Sequence, residues 1–124
     1  ALASELEEYG RELAVWGIKL ENLVKHSPKH KTLRDACRRA IGEILRDGDA
    51  VTLIFGKKRF PMKKISEITG LPLKKLERLR IYIMAVLIIL KGDYEYLPEY
   101  IPAFGESAPG QASDDRGDRS GLPG

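Results

Sequence analysis

The sequence predicts an all-α fold: a multi-helix bundle containing a helix-turn-helix, with a disordered C-terminal tail. Three observations predict it. Apolar residues recur at helical spacing through most of residues 6–90. The one β-prone run, Val51 to Phe55, has no second run to pair with. Thr69-Gly70-Leu71-Pro72 joins two helical patterns as a tight turn would. With 124 residues, 43% apolar and 31% charged, the chain has room for one domain with a modest core. Residues 1–101 read as that domain, with the helix-turn-helix at about 62–91, and 102–124 as a flexible tail.

The first helix is expected to open at Ser4, where Ser4 and Glu7 have the spacing of a capping box. Leu6, Tyr9, Leu13 and Trp16 continue it, and Gly17 stops it. A short amphipathic turn follows, with Ile18, Leu20, Leu23 and Val24 as its apolar contacts. Ser27-Pro28 reads as N-cap and first residue of the next helix. That helix has the cleanest period: Leu33, Ala36, Cys37, Ala40, Ile41, Ile44 and Leu45 form one stripe. Arg34, Arg38, Arg39, Glu43 and Arg46 take the other face, and Asp47-Gly48-Asp49 ends it. Val51 to Phe55 is read as a short helix and Gly56 to Pro61 as a basic loop. Helices at about 62–69 and 73–91 complete the body. Past Ile101 the composition falls to Gly, Pro, Ser, Ala and Asp, too little apolar surface to offset the entropy of ordering.

The net charge of +3 is unevenly placed. Residues 57–80 hold nine cationic side chains (Lys57, Lys58, Arg59, Lys63, Lys64, Lys74, Lys75, Arg78, Arg80) against Glu67 and Glu77. Residues 1–56 balance at nine of each sign, and the remainder is acidic. A local basic surface is what a phosphate-bearing partner selects, although a solvated lysine-rich face has the same composition. The single cysteine, Cys37, leaves no internal disulfide and no cysteine-rich zinc site. Glu5, Glu7, Glu8 and Arg11 interrupt the first apolar residues, so no secretory signal is read and a cytoplasmic location is expected. The apolar run Ile81 to Leu90 is about half the length of a membrane span and reads as a buried helix.

The informative stretch is Met62 to Arg80. Ile65 and Ile68 pack a short helix, and Gly70 suits a left-handed turn that a Cβ would resist. Leu71 is expected to plug the angle between the helices and Pro72 to start the second. This is the plan of a helix-turn-helix, whose second helix enters the major groove by its N-terminal part. Lys74, Lys75, Glu77, Arg78 and Arg80 are the exposed candidates, while Leu76, Ile83, Val86, Leu87 and Leu90 face inward. Arginine can donate two hydrogen bonds to guanine, and glutamate can accept from cytosine N4. Lys63, Lys64, Lys57 and Lys58 are candidates for phosphate attraction.

Four motifs stand in order along the chain: Ser27-Pro28-Lys29-His30-Lys31, Ile68-Thr69-Gly70-Leu71, Leu76-Glu77-Arg78-x-Arg80-x-Tyr82-Ile83, and Gly92-Asp93-Tyr94-Glu95-Tyr96-Leu97 through Tyr100-Ile101. By these the chain, from about Glu5 to Ile101, resembles the C-terminal domain of the bacterial sigma-I factors, a group of alternative sigma factors. The resemblance implies recognition of the promoter −35 element, with RNA polymerase core as partner and a membrane-anchored anti-sigma factor as inhibitor. It implies DNA contact for Lys74, Lys75, Glu77, Arg78 and Arg80, and a second basic element at Lys29, His30, Lys31 and Arg34. Family members usually begin the recognition helix with a serine and a basic residue where this chain has Pro72 and Leu73, and carry polar residues at Leu79 and Ile81. No upstream domain able to open DNA is read in the chain, which points to an excised domain.

The remaining residues have structural readings. His26 and His30 stand four apart, but Pro28 between them and the lack of a nearby carboxylate or cysteine argue against a metal site. Cys37, Trp16, Tyr9 and Phe55 read as core, and Tyr94, Tyr96 and Tyr100 as packing for the C-terminal turn or as partner contacts. Arg116-Gly117-Asp118 reads as a chance match to an adhesion tripeptide. No nucleophile, base and orienter can be assembled, so neither catalysis, a cofactor nor a small-molecule substrate is expected. Two rival readings are a module whose main work is binding an anti-sigma factor or polymerase, and a free-standing repressor-like dimer.

Overall fold

The computed structural model describes residues 1–100, and every element among them is helical. Helix α1 (Leu2–Val15) is followed by a 3-10 turn (Leu20–Asn22), α2 (Leu23–His26) and α3 (Lys31–Arg46). Helix α4 (Gly48–Val51) runs into a π turn (Thr52–Gly56), then α5 (Met62–Thr69) and α6 (Leu73–Lys91). The all-α bundle read from the sequence is therefore observed, and the short helix expected at Val51 to Phe55 is this α4 and π-turn segment. The expected tail at 102–124 lies outside the described residues.

The bundle is organised around α6. Residues Tyr82 to Ile89 are buried on every side, because α1, α2, α3 and α5 all pack against this helix. A helix apolar all round is stable in water only when it is enclosed in this way. Its shell comes from Tyr9 and Leu13 of α1, Leu23 of α2, Cys37, Ile41 and Ile44 of α3, and Ile65 of α5. The Tyr9 hydroxyl, fully enclosed, donates to the Ala85 carbonyl at 2.7 Å, and burial pushes its pKa upward. Cys37 is a core residue as expected, its thiol pushed up to about 11 by burial. Leu90 departs from the expectation of an inward position: it is 46% exposed, one step past the enclosed segment.

Two helix starts differ from the sequence reading. Helix α1 begins at Leu2 with no side-chain cap, so Ser4 and Glu7 form no capping box. The Glu5 carboxylate instead accepts from the backbone N–H groups of Glu95, Tyr96 and Leu97, at 2.5, 2.9 and 3.0 Å. Desolvation raises its pKa, but these amides outweigh it and hold the carboxyl below its usual value. Ser27 and Pro28 are not the start of α3, which begins at Lys31 with His30 as N-cap. The Ser27 hydroxyl donates back to the Leu23 carbonyl at 2.7 Å, finishing α2.

The C-terminal turn is clamped to α1. Tyr94 meets Tyr9 edge to face, with ring centroids 6.0 Å apart, and its hydroxyl donates to the Glu12 carboxylate. Gly92 makes this possible, since a Cβ there would stand 2.6 Å from the Tyr94 ring and 2.9 Å from the Ile88 carbonyl. Tyr94 thus packs as expected, while Tyr96 and Tyr100 are exposed. No helix of the described residues is long and apolar enough to cross a membrane.

Candidate nucleic-acid interface

Helices α5 and α6 meet through a turn whose geometry is set by three residues. Gly70 caps α5 in the left-handed conformation, φ +78°. The Thr69 hydroxyl donates to the Ile65 carbonyl at 2.6 Å and accepts from the Leu71 N–H at 3.3 Å. The Ser66 hydroxyl donates to the Leu71 carbonyl at 2.6 Å. These bonds hold Leu71 against the core between the helices, in the plug position the sequence implies. Pro72 is the N-cap of α6, extended at φ −60° and ψ 149°, and the first helical residue is Leu73. The sequence reading places proline one position further in. The outcome is similar, because in neither place is its missing N–H needed.

Helix α6 presents two different halves along about 28 Å of length (19 residues). Lys74, Lys75, Glu77, Arg78 and Arg80 are all exposed in the first half, while Leu76 and Leu79 are buried. Lys74 and Arg78, four residues apart, share one face, and Leu73 and Glu77 share the adjoining one. Leu79 and half-buried Ile81 pack on the core, so these apolar residues strengthen the anchor of the helix.

The other candidate cations are unequal. Lys57, Lys58, Arg59 and Lys63 are exposed. Arg59 joins these lysines as a further cation of the basic loop, and its place in that loop is the sequence signal for it. Lys58 also adopts φ 54° and donates to the Phe55 carbonyl at 3.0 Å. Lys64 is half-buried and stands 3.8 Å from Asp47, whose carboxylate caps α4 through the Ala50 N–H. Its charge is already partly committed within the fold.

The second basic element surrounds the start of α3. Lys29 and His30 are exposed, Lys31 pairs with Asp35 at 2.7 Å, and Arg34 donates to the Lys29 carbonyl at 2.8 Å. The Lys31 hydrogen bond and charge, with Arg38, hold the Asp35 carboxyl below its usual pKa. Lys31 begins the 16-residue helix α3 and Asp47 follows its end, so about 24 Å of helix separates Lys31 from the end beside which Lys64 lies.

Elsewhere, a cavity of about 250 Å³ between the C-terminal ends of α1 and α6 is lined by Glu12, Val15, Trp16, Phe55, Lys58 and Ile88. It brings together no set of groups with nucleophilic or metal-binding chemistry. His26 and His30 join no cluster of three potential metal ligands among the described residues.

No protein-family profile matches the chain, and no solved structure does. Curated sequences do. RNA polymerase sigma factor SigI7 of Acetivibrio thermocellus is 38% identical over 97 residues, 78% of this chain and 41% of that protein. RNA polymerase sigma factor SigI of Bacillus anthracis is 33% identical over 97 residues (78% and 40%), and that of Bacillus subtilis 29% over 97 residues (78% and 39%). The chain spans about two fifths of the length of these relatives. Over that span it belongs to the sigma-I group of RNA polymerase sigma factors, the group its four sequence motifs resemble.

Proposed function

We propose that this chain is the part of a sigma-I factor that reads the promoter −35 element during transcription initiation, in the cytoplasm and in complex with RNA polymerase core. The observation that carries the reading is the division of α6: a basic, exposed N-terminal half on a rigid turn, and an enclosed C-terminal half that anchors it. Arg78 and Arg80 are assigned to base edges, with Glu77 accepting from a cytosine. Lys74, Lys75 and Lys63 are assigned to phosphates, and Lys57, Lys58 and Lys64 supplement them. Lys29, His30 and Lys31, with Arg34 bracing their loop, are assigned to the DNA backbone. Residues 1–101 are the binding body in this scheme, and 102–124 an appended tail.

An anti-sigma factor, membrane-anchored, is the partner proposed to hold the protein inactive. The rival view is that protein binding is the main work. Exposed Val15 beside the cavity lined by Trp16 and Phe55, at the far end of α6, favours a protein contact there. The two are separated by whether a partner competes with DNA for Lys74 to Arg80.

The test is fluorescence anisotropy of the chain against a randomised duplex pool and a scrambled control across a salt series. Steep salt dependence with enrichment of one short motif is the expected result. Binding without enrichment would remove base reading from the isolated domain. No binding at low salt would transfer the proposal to the protein-interaction view.

A further inference from the structure

Leu73 is the first helical residue of α6 and is 46% exposed, the one large apolar side chain so exposed between residues 57 and 80. Its neighbours already do the packing. Leu71 fills the angle between α5 and α6, and Leu76 and Leu79 face the core. The turn that aims Leu73 outward is held by the Ser66 and Thr69 hydrogen bonds, and Pro72 before it is exposed and fixed at φ −60°. An apolar side chain of this size, at the tip of a helix otherwise covered in charges, is dehydrated only by something it meets from outside.

We infer that Leu73 is a specificity-determining residue that contacts the C5-methyl group of a thymine in the major groove, an inference that rests on the promoter-reading proposal above. The chemistry narrows the choice. In the major groove the thymine methyl is the apolar feature among the donors and acceptors of the base pairs, and apolar side chains are its recognised partners. The residues at the N-terminal end of a recognition helix are those that reach base edges. Leu73 and Glu77 share a face one helical turn apart. One turn rises about 5.4 Å and base pairs stack about every 3.4 Å, so the two side chains address positions roughly one to two base pairs apart. A thymine read by Leu73 therefore lies next to, or one removed from, the cytosine assigned to Glu77.

The experiment replaces thymine by uracil, which deletes the methyl and changes nothing else on the groove edge. The duplex enriched from the random pool is resynthesised with each thymine changed singly to deoxyuridine, and binding of the full chain is measured by anisotropy. One position is expected to weaken by about three- to fivefold, the effect of one buried methyl. Leu73→Ala abolishes that difference, while Leu90→Ala, equally exposed at the other end of α6, retains it. Equal binding of thymine and uracil at every position, or a difference that survives in Leu73→Ala, overturns the inference and leaves promoter reading standing. A chain that binds no duplex overturns both.

Discussion

The α5–α6 turn can be tested by adding a single methyl group. Gly70→Ala places a Cβ on a residue at φ +78°, where nothing lies within 4 Å to obstruct it. Contact with neighbours therefore costs nothing, and two local effects decide the outcome. An L-residue in the left-handed region costs about 1–2 kcal/mol. Alanine also restricts the unfolded chain, which returns about 0.4–1 kcal/mol. The net is a destabilisation of about 1 kcal/mol. Gly70→Asn is expected to lose less, because asparagine enters this region more readily. Two other glycines bracket the measurement. At Gly56 a Cβ meets only the Thr52 methyl at 3.8 Å, ordinary contact without a positive φ, so Gly56→Ala is neutral or slightly stabilising. At Gly92 it would stand 2.6 Å from the Tyr94 ring and 2.9 Å from a backbone oxygen, an overpacking cost of about 1–3 kcal/mol. Urea unfolding followed by circular dichroism gives the order directly. A Gly70→Ala protein as stable as the parent, or less stable than Gly92→Ala, would refute the argument that backbone conformation alone determines the effect.

Arg78→Ala is expected to cost about 1–3 kcal/mol on the preferred duplex and much less on a scrambled one, measured by competition anisotropy. Lys63→Ala should weaken all duplexes alike and lower the salt slope by about one, whereas Lys64→Ala changes it less because Asp47 already stands 3.8 Å from its ammonium. Cys37 should resist thiol reagents at neutral pH until the protein is unfolded, since burial holds the thiol at about 11; rapid labelling of the native protein would contradict its core position. The Glu5 clamp is acid-labile in a defined direction. Its folded pKa is depressed, so its stabilisation is present above the ordinary glutamate value of about 4.3 and is lost as pH falls through the folded value. Protection of the Glu95, Tyr96 and Leu97 amides, measured against their intrinsic exchange rates, should fall in that acid range and already be lost at neutral pH in Glu5→Ala.

Much of the fold is legible in local spacing. The stripe from Leu33 to Leu45, the paired patterns around Gly70 and the all-apolar Ile81 to Ile89 run each define a helix from residues within a few turns of one another, because periodicity reports which face is buried. The exposed cations of α6 follow from the same register. Apart from Leu90 and Pro72, at the two ends of α6, the structure departs from that pattern where a polar side chain chooses between partners. Ser4, Ser27 and Asp47 all carry capping chemistry, but only Asp47 caps a helix start, and it starts α4 where the sequence reads an ending.

Which partner wins depends on groups brought near by folding. Glu5 reaches backbone amides about 90 residues away, because α1 and the segment after Gly92 both lie against α6. The commitment of Lys64 to Asp47 is equally tertiary. So is the exposure of Leu73, an apolar residue that composition alone would place inside. The physical reason is common to them: apolar burial is periodic along one element and can be read along it. Hydrogen bonds and charge pairs are directional and short, and are settled only when the elements have packed.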